Sequence, residues 1–145
     1  MKSSFDITSC IATTDSSAPL GLTIKLDKQT LYTTDHVTAP VDFKHSLDLE
    51  DGEHELEFAM FNKTTDHTQV NDAGEIVTDA RLVILNLGFD DIELNQIFFE
   101  HSNYTHNFNG NGPEQTDRFY GELGCNGTVT LKFSTPVYLW LLEHL

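Results

Sequence analysis

The sequence predicts an all-β chain: an antiparallel β-sandwich, jelly-roll-like, with a C-terminal β extension. Three observations predict it. Apolar residues recur at every second position over short runs, Gly, Asn and Asp punctuate those runs, and apolar residues hardly ever fall at helical spacing. The chain has 145 residues, 39% of them hydrophobic, which suits one domain with a buried core.

The first clear strand is Leu22-Thr23-Ile24-Lys25-Leu26, and Asp27-Lys28-Gln29 joins it tightly to Thr30-Leu31-Tyr32 as a hairpin. Val41 to Leu47 alternates again, and Leu49-Glu50-Asp51-Gly52 closes it, with Gly52 available for a positive φ. From Glu53 to Phe61 the strand turns Leu56, Phe58 and Met60 inward, and Glu53, Glu55 and Glu57 form a solvated face. Residues 62–79 are a polar insertion, long for a connection, with Asn71-Asp72-Ala73-Gly74 as the turn at its tip. Arg81 to Leu87 is nearly continuous in apolar character and reads as a central strand. Gly88 to Leu94 alternates and ends the sandwich core, placed at residues 1–95.

Residues 96–145 form the expected extension, a C-terminal hairpin that packs on the core or on neighbouring subunits. Gln96 to His101 and Asn103 to Phe108 read as aromatic strands, Asn109 to Pro113 as a flexible break, and Thr128 to Phe133 as a strictly alternating strand. The tail, Val137-Tyr138-Leu139-Trp140-Leu141-Leu142, is apolar enough to require a partner surface. It either packs back on the sandwich or docks another subunit, so these six residues are the candidate interface.

Charge narrows the function. Eight Lys and Arg stand against 23 Asp and Glu, a formal net charge of −15. Nucleic-acid binding by phosphate neutralisation and docking on an anionic membrane both need clustered cations, so neither is expected. No apolar run reaches the roughly 18 residues that cross a bilayer. Met1-Lys2-Ser3-Ser4-Phe5 lacks the apolar stretch of a secretory signal, so folding in the cytoplasm of the producing cell is expected. Cys10 and Cys125 are too few for a zinc motif or a disulfide framework and are expected as buried free thiols.

Catalytic chemistry finds no anchor, and no enzyme is expected. Gly-x-Ser-x-Gly is absent, the seven histidines are scattered, and Glu50-Asp51 and Asp90-Asp91 sit where turns are predicted. The insertion is the better candidate. Asp66, Asp72, Glu75 and Asp79, with the side-chain oxygens of Asn71 and Thr78, can wrap one Ca2+, which accepts about six to eight hard oxygens. The same residues also suit a plain polar hairpin turning at Asn71 to Gly74. Tyr104, Phe108, Tyr120 and Trp140 offer flat rings for sugars or for the core, and Tyr104 and Tyr120 are the carbohydrate-binding candidates. Trp140 lies among leucines, which favours the core or an interface.

Residues 22–95 resemble the β-sandwich of calcium-dependent xylan-binding carbohydrate-binding modules. The resemblance rests on Leu22 to Leu31, on Gly52-Glu53-His54-Glu55-Leu56-Glu57-Phe58, and on Thr78 to Ile84 leading to Asp90-Asp91-Ile92-Glu93-Leu94. It implies that Asp79 helps hold calcium and that the metal meets sugar hydroxyls, although the family's Asp-Arg-Asn-Leu reads Asp79-Ala80-Arg81-Leu82 here. The whole chain is also similar to small virion proteins of contractile-tailed marine bacteriophages, notably those of cyanobacteria. Phe61 to Thr68, Gly88 to Ile92, and Phe119 to Gly127 with Trp140-Leu141-Leu142 carry that likeness. It implies an oligomeric virion structural protein, non-enzymatic and assembled with other virion proteins. The alternative is a calcium-dependent module that attaches to cell-surface glycans.

Overall fold

The computed structural model describes residues 1–64, 68–94, 96–107, 110 and 112–144, without the side chains of residues 68, 69, 77 and 78. Two antiparallel sheets form a sandwich. The first runs β12(Glu122–Leu123), β8(Leu82–Phe89), β1(Lys2–Thr13) and β4(Val41–Glu50), with β9(Ile92–Glu93) also paired to β8. The second has six strands in the order β11(Gln115–Arg118), β10(Ser102–His106), β13(Gly127–Thr135), β5(Gly52–Phe61), β2(Gly21–Leu26) and β3(Gln29–Thr34). A separate hairpin, β6(Thr68–Val70) and β7(Ile76–Asp79), occupies the insertion. Two short helices, α1(Gln96–His101) and α2(Val137–Glu143), complete the elements of the described residues.

Period-two patterning builds the core. Ile7, Ile11, Leu82 and Phe89 from the first sheet and Leu22, Ile24, Leu56, Phe58, Val129 and Leu131 from the second are completely buried. Side chains of the opposite parity leave the six-stranded sheet a polar outer face. Thr33, Thr23, Ala59, Thr128, Thr105 and Thr116 stand in register across all six of its strands. Hydroxyl pairs tie neighbours in this row, at 2.9 Å for Thr23 and Thr33 and 3.1 Å for Thr105 and Thr116.

Two predicted turns owe their shape to the same device. Asp27 and Lys28 have φ of 48° and 70°, and Asp90 and Asp91 have φ of 51° and 65°. Successive left-handed residues match the twist of a tight hairpin. Asp90 also accepts the Asp6 amide at 2.7 Å and the Tyr138 hydroxyl at 2.8 Å, so the Asp90-Asp91 pair is structural.

Three elements differ from the sequence reading. β1, the longest strand, was not expected, because its inward row Phe5, Ile7, Ser9 and Ile11 is interrupted by a serine. Ser9 is buried, and its hydroxyl donates to the Leu85 carbonyl at 2.9 Å, which satisfies it inside the core. Gln96 to His101 is helical rather than extended, and so is the tail from Val137 to Glu143. Short apolar runs do not distinguish a strand from a buried helical turn. Residues 96–145 supply β10 to β13, and β13 is hydrogen-bonded between β10 and β5 inside the second sheet.

Candidate functional site

A groove of about 770 Å³ opens where β10 and β11 approach β8 and β12. Ile84, Phe99 and Tyr104 contribute its apolar lining, and Asp117, Arg118 and Glu122 bring charge to it. Tyr120 stands at its edge, 72% exposed. Its neighbours hold it there. Phe119 is fully buried against Phe98 and Phe99, with centroids at 5.1 Å and 6.1 Å. Gly121 adopts φ +107°, which side chains rarely take, and its carbonyl accepts the Ile84 amide at 2.9 Å. The chain is thus pinned on both sides of Tyr120, and the ring is turned outward. The Arg118 guanidinium lies 5.5 Å from the ring centroid, a cation–π contact on one side of an otherwise open ring.

Tyr104 does different work. It is buried, and its hydroxyl accepts the Cys125 amide at 2.8 Å and donates to the Cys125 carbonyl. Burial pushes its hydroxyl above the ordinary tyrosine range. It supports the groove and offers a ligand no open ring face, so of the two carbohydrate-binding candidates only Tyr120 is presented to solvent. Beside Tyr104, the ring of His106 is nearly buried, and its Nε2 meets Asp117 Oδ2 at 2.8 Å. Hydrogen bonds from the Gln115 amide, then His106, hold Asp117 below the usual carboxylate range.

A second cleft, of about 750 Å³, is lined by His54, Phe133 and Trp140 beside Asp27, Glu55 and Lys132. Its polar walls are already engaged. His54 Nδ1 meets Asp27 Oδ2 at 2.6 Å, Lys28 binds Glu57 at 2.8 Å, and Trp140 is 6% exposed. The charges of the Tyr120 groove are paired as well, Glu122 with Arg81 at 2.6 Å and Asp117 with His106 and Gln115, and what sets this groove apart is the exposed ring at its edge.

Among the described residues the calcium candidates do not assemble into a cage. Asp66 lies outside the described residues. Asp72 and Glu75 are exposed at the β6–β7 turn, where Asn71 Oδ1 accepts the amides of Ala73 and Glu75, each at 3.0 Å. Asp79 instead receives the Lys63 ammonium. Among the described residues no group of three or more His, Cys, Asp or Glu is placed to hold a metal ion. Of the described candidates, Asp79 is already paired with an ammonium from within the chain.

Of the six interface candidates, Val137, Trp140 and Leu141 are buried, whereas Tyr138, Leu139 and Leu142 are exposed. Helical geometry explains the division, since positions i, i+3 and i+4 share the inward face of α2. Trp140 packs on Phe89 and Phe133, at 6.1 Å and 6.2 Å. Cys10 and Cys125 are half-buried free thiols. Among the described residues, no helix is long and apolar enough to cross a membrane.

No protein-family model matches the sequence, and no curated protein matches it. Solved structures do. The vCBM60 domain in its selenomethionine form, described with two families of calcium-dependent carbohydrate-binding modules, aligns at a TM-score of 0.56 and 16% identity, over 88% of this chain and 89% of that one. The chain has the vCBM60 sandwich fold. The complex of vCBM60 with galactobiose also aligns, at a TM-score of 0.45 and 12% identity, over 89% of this chain and 97% of that one.

Proposed function

We propose that this chain is a non-catalytic carbohydrate-binding module whose ligand lies in the groove edged by Tyr120. The observation that carries the reading is an outward tyrosine, pinned by its own neighbours, at a groove where Asp117, Arg118 and Glu122 converge. An exposed ring gives a sugar a flat apolar surface, and the flanking polar groups supply hydrogen bonds to hydroxyls. The vCBM60 fold, shared with modules that bind carbohydrate, supports it. With a net charge of −15 the protein repels polyanions, so neutral glycans are the favoured class.

Glycan-array binding followed by isothermal titration tests the reading. Wild type is expected to bind a neutral glycan, and Tyr120→Ala to bind it about tenfold more weakly, the worth of one stacked ring. Absence of binding to any glycan would overturn the assignment.

A second reading, which rests on the resemblance to phage virion proteins, has the module displayed on a virus particle. The exposed Tyr138, Leu139 and Leu142 on α2 favour it, as a face for neighbouring subunits. The two readings are compatible, since a sugar-binding sandwich displayed on a particle serves host attachment. Sedimentation at high concentration tests the contact, and a strictly monomeric protein counts against it.

A further inference from the structure

The segments flanking the β6–β7 hairpin converge on one buried cation of the chain's own. The Lys63 side chain is 2% exposed, and its ammonium donates to Asp79 Oδ1 and, at 2.6 Å, to the Gly124 carbonyl. The lysine backbone is clasped from the other side. Its amide donates to Asn126 Oδ1 at 2.9 Å, and Asn126 Nδ2 donates to its carbonyl at 2.8 Å. The Asp79 carbonyl accepts the Thr14 hydroxyl at 3.2 Å, which brings in the end of β1. Four stretches distant in sequence, near residues 14, 63, 79 and 124–126, meet at this point.

Burying an ammonium costs several kcal/mol unless oxygens replace its water, so at 2% exposure the Lys63 side chain depends on the oxygens gathered round it. The oxygens it gathers, one carboxylate and one carbonyl, are the hard donors that calcium also takes. A tethered ammonium on those donors supplies the positive charge that a metal would otherwise bring to Asp79.

We propose that Lys63 is the internal cation that closes this loop cluster, and that the cluster is consequently held together without a divalent metal. The proposal concerns this cluster and stands whatever the groove binds.

Thermal melting of the full chain tests it without any variant. The midpoint is expected to agree within about 1 °C between excess EDTA and about 1 mM CaCl2, whereas a protein with a micromolar calcium site would gain roughly ten degrees. A rise of several degrees with calcium, reversed by EDTA, overturns the proposal. Lys63→Met, which keeps the bulk and removes the charge, is expected to melt roughly 10 °C lower, or not to fold, in both buffers. If it melts like wild type, the charge has no role and the proposal fails. Asp79→Asn is expected to lower the midpoint of wild type but to raise that of Lys63→Met, because it removes the carboxylate left without its cation. If both effects share one sign, the two residues do not act as a charge pair.

Discussion

Tyr104→Phe isolates a single oxygen atom. The phenol closes a two-way clasp on Cys125, accepting its amide at 2.8 Å and donating to its carbonyl, and phenylalanine keeps the ring while deleting both bonds. Each buried backbone group left without a partner costs about 1 to 3 kcal/mol. Cys125 is only half-buried, so water recovers part of that cost, and the expected loss is about 2 kcal/mol. In a domain of this size that is roughly 7 °C in midpoint, readable by calorimetry and by urea unfolding followed by circular dichroism. Glycan titration on the same variant supplies the functional arm. On the proposed placement of the ligand, with Tyr104 supporting the groove and Tyr120 facing the sugar, Tyr104→Phe should hold its affinity within about threefold while Tyr120→Ala loses about tenfold. A Tyr104→Phe protein that melts like wild type would refute the clasp. One that loses glycan binding while Tyr120→Ala keeps it would reverse the roles of the two tyrosines.

Trp140→Ala removes the indole from Phe89 and Phe133 and should cost about 3 to 5 kcal/mol in urea unfolding. Leu139→Glu with Leu142→Glu alters the exposed side of α2, so stability should stay within about 0.5 kcal/mol of wild type, and sedimentation should show a monomer. Gly127→Ala would drive a Cβ onto the Thr105 carbonyl, a backbone atom that cannot rotate away, and should destabilise by about 3 kcal/mol in the same unfolding assay. Asp117 has its carboxyl held below the unfolded value near 4, so its share of stability is present above that pH and is lost as pH falls through the folded value. Asp117→Asn should therefore flatten the acid limb of stability against pH below about 4, measured by urea midpoints across a pH series.

Local patterning made much of the sandwich legible. Leu22 to Leu26, Val41 to Leu47, Glu53 to Phe61 and Thr128 to Phe133 alternate because each strand has one buried face, and the structure places strands over all four. Asp27-Lys28, Gly52 and Asn71 to Gly74 mark turns because few residues tolerate the backbone those turns need. Part of the acid excess is likewise a matter of pattern, since Glu55 and Glu57 stand on the polar side of β5 facing Lys132 and Lys25.

What the sequence could not order was anything decided by a partner distant in the chain. Ser9 hides β1 until the Leu85 carbonyl satisfies it, and the tail looks uniformly apolar until helical geometry turns Trp140 inward and Leu139 outward. Tyr104 and Tyr120 are equivalent rings on paper. Burial against Cys125 makes one a support, and a positive φ at Gly121 with Phe119 anchored in the core makes the other a surface. The acid of the insertion reads as a cation site in sequence, and the cation that reaches Asp79 is a lysine sixteen residues earlier. A sequence can state that carboxylates are concentrated in one loop. Which charge neutralises them depends on distances that exist only after the chain has folded, because the desolvation that makes such a pair matter is a property of the packed interior.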